Sequence, residues 1–316
     1  MFKISPHHRA VLQALFVTFL WSISFVLIKF GLEDIPPLLF AGLRYMLAFL
    51  VLLPLLWRQD RVADAEAVIV QQPKKSRFHL PASIKALKRN DWMWLLILGV
   101  IYYAVTQGSQ FVALAFAPAV SVSLILSFTA VFVALLGIVT LGERPNIGQW
   151  LGILLALAGA LIYFFPFGLA EAQLMGIVAA VVGMLANSVS SVLGRFVNRD
   201  SKIRPLTVTV ISMGIGACLL LVGGIILQGV PRLSLQSWLI ILWLAVVNTA
   251  VAFTLWNHTL RTLSAMESTV INNTMTVQIA ILAFLFLGET LNGRELIGLA
   301  AVVVGTLLVQ IWRRKS

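Results

Sequence analysis

The chain of 316 residues is 60% hydrophobic and only 11% charged, and its mean hydropathy is +0.97. This composition excludes an ordinary water-soluble domain, which could not bury so much apolar side chain in one core. The net charge of +11 would suit nucleic acid, but the basic residues lie in short links between apolar runs, as in polytopic membrane proteins. A single cysteine, Cys218, lies inside an apolar run and excludes a disulfide framework.

Ten apolar runs of about 20 residues, the length that crosses the hydrocarbon of a bilayer, predict ten transmembrane helices. Helices 1 to 10 are predicted over 9–31, 36–57, 91–113, 118–141, 147–166, 172–194, 204–228, 235–258, 265–288 and 293–312. Prolines stand at several of the predicted ends, where they cost least. Because the first run is too long for a signal peptide and has no cleavage site, we expect it to be an uncleaved anchor.

The orientation follows from the placement of the 23 Lys and Arg residues. Most of them lie on the side of the two chain termini, eight within the long connection 58–90. Because cytoplasmic links carry the excess of positive charge, this asymmetry predicts cytoplasmic N- and C-termini and a cytoplasmic 58–90 loop.

An internal repeat relates the two halves of the chain. Residues 102–143 align without a gap to residues 248–289, at an offset of 146, and both segments end in Leu-Gly-Glu. Five helices in each half is an odd number, so the second half must cross the membrane in the opposite orientation. The sequence therefore predicts an all-α membrane protein of two inverted five-helix repeats, over 1–166 and 172–312.

These features resemble the EamA family of the drug/metabolite transporter superfamily. The resemblance rests on the two Leu-Gly-Glu motifs, the opening segment LWSISFVLIKFGLEDIPPLLFAGLRY and the ten-helix inverted repeat. It implies an inner-membrane carrier that exports amino acids, related metabolites or toxic organic compounds. It also implies a central cavity surrounded by helices 1, 3, 4, 6, 8 and 9, with helices 5 and 10 at the periphery. The chain differs from the family in having Ala130 and Thr276 where a proline is common.

Polar side chains inside a bilayer are costly and are therefore candidates for function, although Ser, Thr and Asn also join helices to each other. Helix 9 carries the densest polar cluster, and on helix 3 the residues Tyr103, Gln107 and Gln110 share one helical face. The predicted substrate cavity comprises Trp21, Ser24, Tyr102, Tyr103, Gln107, Gln110, Asn187, Ser191, Asn248, Trp256, Asn273 and Thr276.

Three charged residues are predicted to have structural or gating roles. Glu143 and Glu289 end helices 4 and 9 on opposite sides of the membrane, where caps or gate contacts suit them better than substrate binding. Arg44 is a single cation inside helix 2, and an ion pair with Glu33 or Asp34 is favoured over an anion site. No Asp or Glu lies in the middle of a predicted span, which disfavours coupling through a buried carboxylate.

The leading hypothesis is a secondary transporter that exports a small metabolite, plausibly an amino acid, by alternating access. A passive facilitator or an importer is the alternative. A membrane-embedded enzyme is a remote third class, because the four His and the absence of mid-span carboxylates provide a poor set for catalysis. No cofactor or metal site is predicted, and no nucleotide-binding loop occurs. Small residues at every fourth position of helix 5 suit either packing within the chain or a homodimer through helices 5 or 10.

Overall fold

The computed structural model describes residues 5–68, 84, 87–141, 146–165, 170–200, 203, 205–259, 262–263 and 265–311. The described residues are mostly helical, and none of them forms a strand. The first five helices are α1 (Pro6–Gly31), α2 (Pro37–Val68), α3 (Arg89–Phe116), α4 (Ala119–Ser127 and Thr129–Leu141) and α5 (Ile147–Phe164). The second five are α6 (Glu171–Asp200), α7 (Pro205–Gln228), α8 (Leu235–Ala245, Val246–Val251 and Ala252–Thr259), α9 (Ala265–Leu287) and α10 (Gly293–Ile311).

Local sequence explains where several of these helices begin. Ser5 caps α1 by accepting a hydrogen bond from the backbone N–H of His8, and Pro6 follows at the first helical position. On α5, Asn146 and Gln149 form a reciprocal capping box. Each of these contacts satisfies backbone donors that a helix start would otherwise leave unpaired.

Ten segments of the described helices are long and apolar enough to cross a membrane. The prediction of an all-α membrane protein with ten spans is therefore confirmed. Large apolar side chains stay exposed on the outside of the bundle, for example Ile147 (81% exposed) on α5 and Leu285 (63% exposed) on α9. Such an apolar exterior suits lipid rather than water.

Two helices run further than their apolar segments. α2 continues to Val68, beyond its predicted end at residue 57, and α6 continues to Asp200. Alanine, arginine and glutamate are good helix formers and extend α2 into the segment that the sequence assigned to a loop. Most of the rest of the 58–90 connection lies outside the described residues.

Several contacts between helices follow the division of the chain into two halves of five helices. Where two helices are in such a contact, the corresponding helices of the opposite halves, five places away in number, are in contact too. The contact of α1 with α9 corresponds to the contact of α6 with α4. In the same way, the contact of α3 with α6 corresponds to that of α8 with α1. The contacts of α3 with α7 and of α8 with α2 form a third such pair. The two most extensive contacts, α5 with α10 and α2 with α7, each join two helices five places apart.

Glycine allows the helices of these two pairs to approach closely. A Cβ built on Gly159 of α5 would lie 2.7 Å from the carbonyl oxygen of Gly298 on α10, and one on Gly152 would lie 2.7 Å from that of Gly305. The small-residue stripe of helix 5 is therefore used for packing within the chain.

Candidate functional site

Two π-helical segments lie at equivalent positions of the internal repeat. They are Gly99–Gln107 in α3 and Val246–Val251 in α8, and the second corresponds to residues 100–105 at the repeat offset. Thr106 and Thr249 each donate a hydrogen bond of 2.9 Å to the carbonyl oxygen five residues earlier, Ile101 and Leu244 respectively. π-helical turns are rare and are frequent at functional sites, so these segments mark the interior of the bundle for attention.

Arg44 of α2 contacts the π-helical segment of α8 and, through Phe111, the helical turns that follow the π-helical segment of α3. Its side chain is only 5% exposed, and its Nε donates a hydrogen bond of 3.1 Å to the hydroxyl of Thr249. The guanidinium carbon lies 5.2 Å from the ring centroid of Tyr45 and 5.9 Å from that of Phe111. These distances are typical of cation–π contacts.

The ion pair expected between Arg44 and Glu33 or Asp34 is not found among the described residues. Glu33 and Asp34 are both exposed, and Asp34 instead accepts a hydrogen bond from the hydroxyl of Ser237 at the start of α8. The helical register turns Arg44 inward, towards α3 and α8, so the charge is buried without a carboxylate from the described part of the chain.

Three tyrosines and one glutamine form a connected group beside Arg44. The ring centroids of Tyr45 and Tyr103 are 5.8 Å apart and those of Tyr103 and Tyr102 are 4.8 Å apart, both in edge-to-face geometry. The hydroxyl of Tyr45 donates a hydrogen bond of 2.6 Å to Oε1 of Gln107. Three predicted cavity residues of α3 are thus brought together, whereas the half-buried Gln110 makes no hydrogen bond among the described residues.

The predicted cavity residues of α1 and α8 also meet. The ring of Trp21 lies 5.2 Å from that of Trp256, and Phe253 lies 5.5 Å from Trp21. Asn248 is fully buried, and its Nδ2 donates a hydrogen bond to the carbonyl oxygen of Leu20, while its Oδ1 has no hydrogen-bond partner among the described residues. Ser24 is buried and donates to the carbonyl oxygen of Trp21.

A polar network joins α1 and α9, and the sequence pattern did not predict it. Oε1 of Gln278 accepts a hydrogen bond of 2.9 Å from Ser22, and its Nε2 donates to the hydroxyls of Thr18 at 3.3 Å and Thr274 at 3.0 Å. Thr18 and Ser22 are four residues apart on α1, as Thr274 and Gln278 are on α9. Residues four apart lie on the same face of a helix, so this spacing could have predicted a polar face on each of the two helices.

Asn273 and Thr276 differ in their surroundings. Nδ2 of Asn273 donates a hydrogen bond of 3.0 Å to Oε1 of Gln310 on α10, on a different face of α9 from Gln278. Thr276 is buried. The role of both residues in the cavity stays a prediction.

On the side of α4 and α6, Nδ2 of Asn187 donates a hydrogen bond of 3.3 Å to the hydroxyl of Thr129. Thr129 begins the second segment of α4, which is interrupted at Phe128 although no proline is present there. Ser191 is exposed and donates to the carbonyl oxygen of Asn187 on its own helix. The equivalent region of α9 is continuous, so the two repeats differ at this point.

Glu289 caps the start of α4. Its two carboxylate oxygens accept hydrogen bonds from the backbone N–H groups of Ala119 at 2.7 Å and Val120 at 3.1 Å. The ammonium of Lys29 on α1 interacts electrostatically with the same carboxylate. This is the geometry of a helix cap. Glu143, its counterpart in the first repeat, lies outside the described residues.

A cavity of about 310 Å³ opens beside this cap. Counting the spans places it on the membrane face opposite the chain termini. None of the twelve predicted cavity residues lines it; the lining includes Ser121, Tyr163, Glu289, Arg294 and Glu295. No group of three His, Cys, Asp or Glu side chains in the described part of the chain could hold a metal ion.

The ten apolar helices, with polar groups gathered inside the bundle, define a polytopic membrane protein. The family model described as "EamA-like transporter family" matches residues 8–165 and again residues 174–311. The chain belongs to the EamA-like transporter family.

Curated relatives and a solved structure extend over nearly the whole chain. A protein of Escherichia coli K12 named "Probable amino-acid metabolite efflux pump" is 28% identical over 92% of this chain and 91% of its own. An "Uncharacterized transporter YoaV" of Bacillus subtilis is 23% identical over 95% of this chain and 96% of its own. A crystal structure with 20% identity superposes with a TM-score of 0.62, covering 96% of this chain and 98% of the other, and shows the shared fold.

Proposed function

We propose that the protein is a secondary transporter of the inner membrane that exports amino acids or related small metabolites by alternating access. In this proposal residues 1–166 and 172–312 are two inverted five-helix repeats, and both chain termini are cytoplasmic. The substrate binds inside the bundle, between the repeats, and their relative movement exposes it to either side in turn.

The observation that carries the proposal is the pair of matched π-helical segments in α3 and α8. π-helical turns are rare and are frequent at functional sites, and a matched pair of them at corresponding places in the two halves favours a shared functional role. The segment of α8 contains the buried Asn248 and accepts a hydrogen bond from the buried Arg44 through Thr249, and the segment of α3 contains the buried Tyr103 and Thr106. An interior that served packing alone would not need a buried cation for which the described chain provides no carboxylate.

Amino acids are the favoured substrate class for two reasons. The first is the chemistry of the interior, where tyrosine and tryptophan rings adjoin amide groups and suit a small solute with both apolar and polar parts. The second is the name of the Escherichia coli relative, an amino-acid metabolite efflux pump. Toxic organic compounds are a second substrate class that the family resemblance implies.

Growth of a sensitive host tests the proposal. A strain that produces the protein and a strain with an empty vector are compared on toxic amino-acid analogues and on organic cations. The proposal predicts resistance to at least one amino-acid analogue, together with a lower intracellular content of that compound. Sensitivity equal to that of the empty-vector strain on every amino-acid analogue would contradict it.

Two variants, compared at equal membrane abundance, connect the resistance to the interior of the bundle. Gln107→Leu removes the acceptor of the Tyr45 hydroxyl and should abolish the resistance. Thr207→Val is the matched control, because Thr207 is buried on α7 and its hydroxyl has no hydrogen-bond partner in the part of the chain that the structure describes. Removing such a hydroxyl costs little stability, so the control should keep full resistance.

A further inference from the structure

The buried guanidinium of Arg44 has more hydrogen-bond donors than the described chain uses. Arginine carries five N–H donors, of which only Nε–H has a partner here, the hydroxyl of Thr249. No carboxylate lies within salt-bridge distance in the described part of the structure. The side chain nevertheless keeps an exposed fraction of 5%, so it is not completely enclosed.

A buried charge without a counterion is costly in a membrane protein. The two cation–π contacts with Tyr45 and Phe111 and the single hydrogen bond compensate only part of this cost. A fully apolar residue would pack at this position at lower cost, as buried ion pairs show when apolar residues replace them. The charge therefore fits a ligand that brings the missing anion.

The surroundings of Arg44 define the chemistry of that anion. A guanidinium matches a carboxylate geometrically, through two parallel N–H···O bonds. One guanidinium balances one negative charge, which fits a carboxylate better than a phosphate dianion. Tyr103 packs against Tyr45, and Tyr102 packs against Tyr103. The hydroxyls of Tyr102 and Tyr103 make no hydrogen bond among the described residues. They offer further donors to a carboxylate or an acceptor to an ammonium group.

We propose that Arg44 binds the carboxylate of the transported solute, with Thr249 of the π-helical segment of α8 holding the guanidinium in position. The substrates are then amino acids and other small carboxylates with an apolar part that packs on the tyrosine rings. Amines and esters that lack a free carboxylate are excluded. This inference rests on the proposed transport function, because it names the substrate class of the same interior.

A binding experiment tests Arg44 independently of transport. The purified protein in detergent is heated with L-leucine, with 4-methylpentanoate, which keeps only the carboxylate, or with leucinamide, which lacks it. The thermal unfolding midpoint should rise with the first two compounds and stay unchanged with leucinamide, because ligands that bind the native state stabilise it. A midpoint raised equally by leucinamide would overturn the assignment of the carboxylate to Arg44.

Variants then assign this discrimination to Arg44. Arg44→Gln should weaken binding of L-leucine about 10- to 100-fold, the range for losing a hydrogen bond to a charged group, and should abolish the preference over leucinamide. Arg44→Lys keeps the charge without the planar fork and should retain a reduced preference. Thr249→Val should give an intermediate loss. Arg232→Gln, at an exposed position before α8, is the matched control and should bind as the wild type does.

The result separates this inference from the proposed function. If Arg44→Gln is folded, as judged by size-exclusion elution and the midpoint without ligand, and still prefers L-leucine over leucinamide, the inference is wrong and the transport proposal stands. If the carboxylate preference depends on Arg44 but the host assay shows no resistance, the anion site is real and the export proposal fails. If Arg44→Gln does not fold, Arg44→Lys and Thr249→Val decide: an unchanged preference in both overturns the inference.

Discussion

Replacing Glu289 by alanine should destabilise the protein by removing the cap of α4. The change deletes two hydrogen bonds, from the backbone N–H groups of Ala119 and Val120 to the carboxylate, and leaves both donors without their acceptor. A hydrogen bond to a charged group contributes about 1.5 to 3 kcal/mol to stability. Because Glu289 is only half-buried, solvent weakens both hydrogen bonds, and we expect the variant to lose about 2 to 4 kcal/mol of unfolding free energy in total. Glu289→Gln keeps one good acceptor and should cost about half as much.

The assay is the free energy of unfolding from denaturation with sodium dodecyl sulfate in mixed micelles. Glu295→Ala is the matched control, because Glu295 belongs to the same cavity lining but accepts only the local backbone N–H of Asn292. Its loss should cost about 0.5 to 1 kcal/mol, the range for one local cap. Equal losses for Glu289→Ala and Glu295→Ala would show that the contact with α4 adds no stability, and the reasoning would be refuted.

Three further predictions concern the packing and the interior. Gly159→Ala should destabilise the protein by about 1 to 3 kcal/mol in the same assay, because its Cβ would meet the backbone of α10, whereas Gly223→Ala, which meets open space, should not destabilise it. Gln278→Leu should lower the free energy of unfolding by roughly 1 to 2 kcal/mol, because it removes three hydrogen bonds, two to α1 and one within α9. A smaller loss would show that the network does not stabilise the protein. Gly216→Ala should lower export at equal abundance, because its Cβ would overlap that of Tyr103 and displace the π-helical segment of α3; unchanged export would contradict this.

The ten helices could be predicted because length and hydropathy alone decide whether a segment crosses a bilayer. The helix ends were harder. α2 continues to Val68 because helix propensity, rather than hydrophobicity, governs the polar segment that follows the span. The π-helical segments left no local signal, since GVIYYAVTQ reads as an ordinary apolar helix. The segment of α3 packs against α7, where Gly99 and Gly216 allow close contact.

Which polar residues face each other could not be settled from spacing within single helices. Tyr103 and Gln107 share a face of α3, as predicted, and both contact Tyr45, a residue of α2 that the spacing on α3 cannot reveal. Arg44 shows the same limit. Its nearest acids in the sequence, Glu33 and Asp34, suggested an ion pair, but the register of α2 turns the guanidinium towards Thr249 instead. Partners on distant helices are set by tertiary packing, which one sequence does not encode locally.

Counterflow in sealed proteoliposomes tests most directly the claim that this chain is a carrier with an interior substrate site. Vesicles that contain the purified protein are loaded with unlabelled L-leucine and diluted into a trace of the labelled amino acid. Alternating access predicts that the label accumulates transiently above its external concentration, and that Arg44→Gln abolishes this overshoot while Arg232→Gln retains it. Uptake that only equilibrates, with or without internal L-leucine, would identify a passive facilitator and contradict the account.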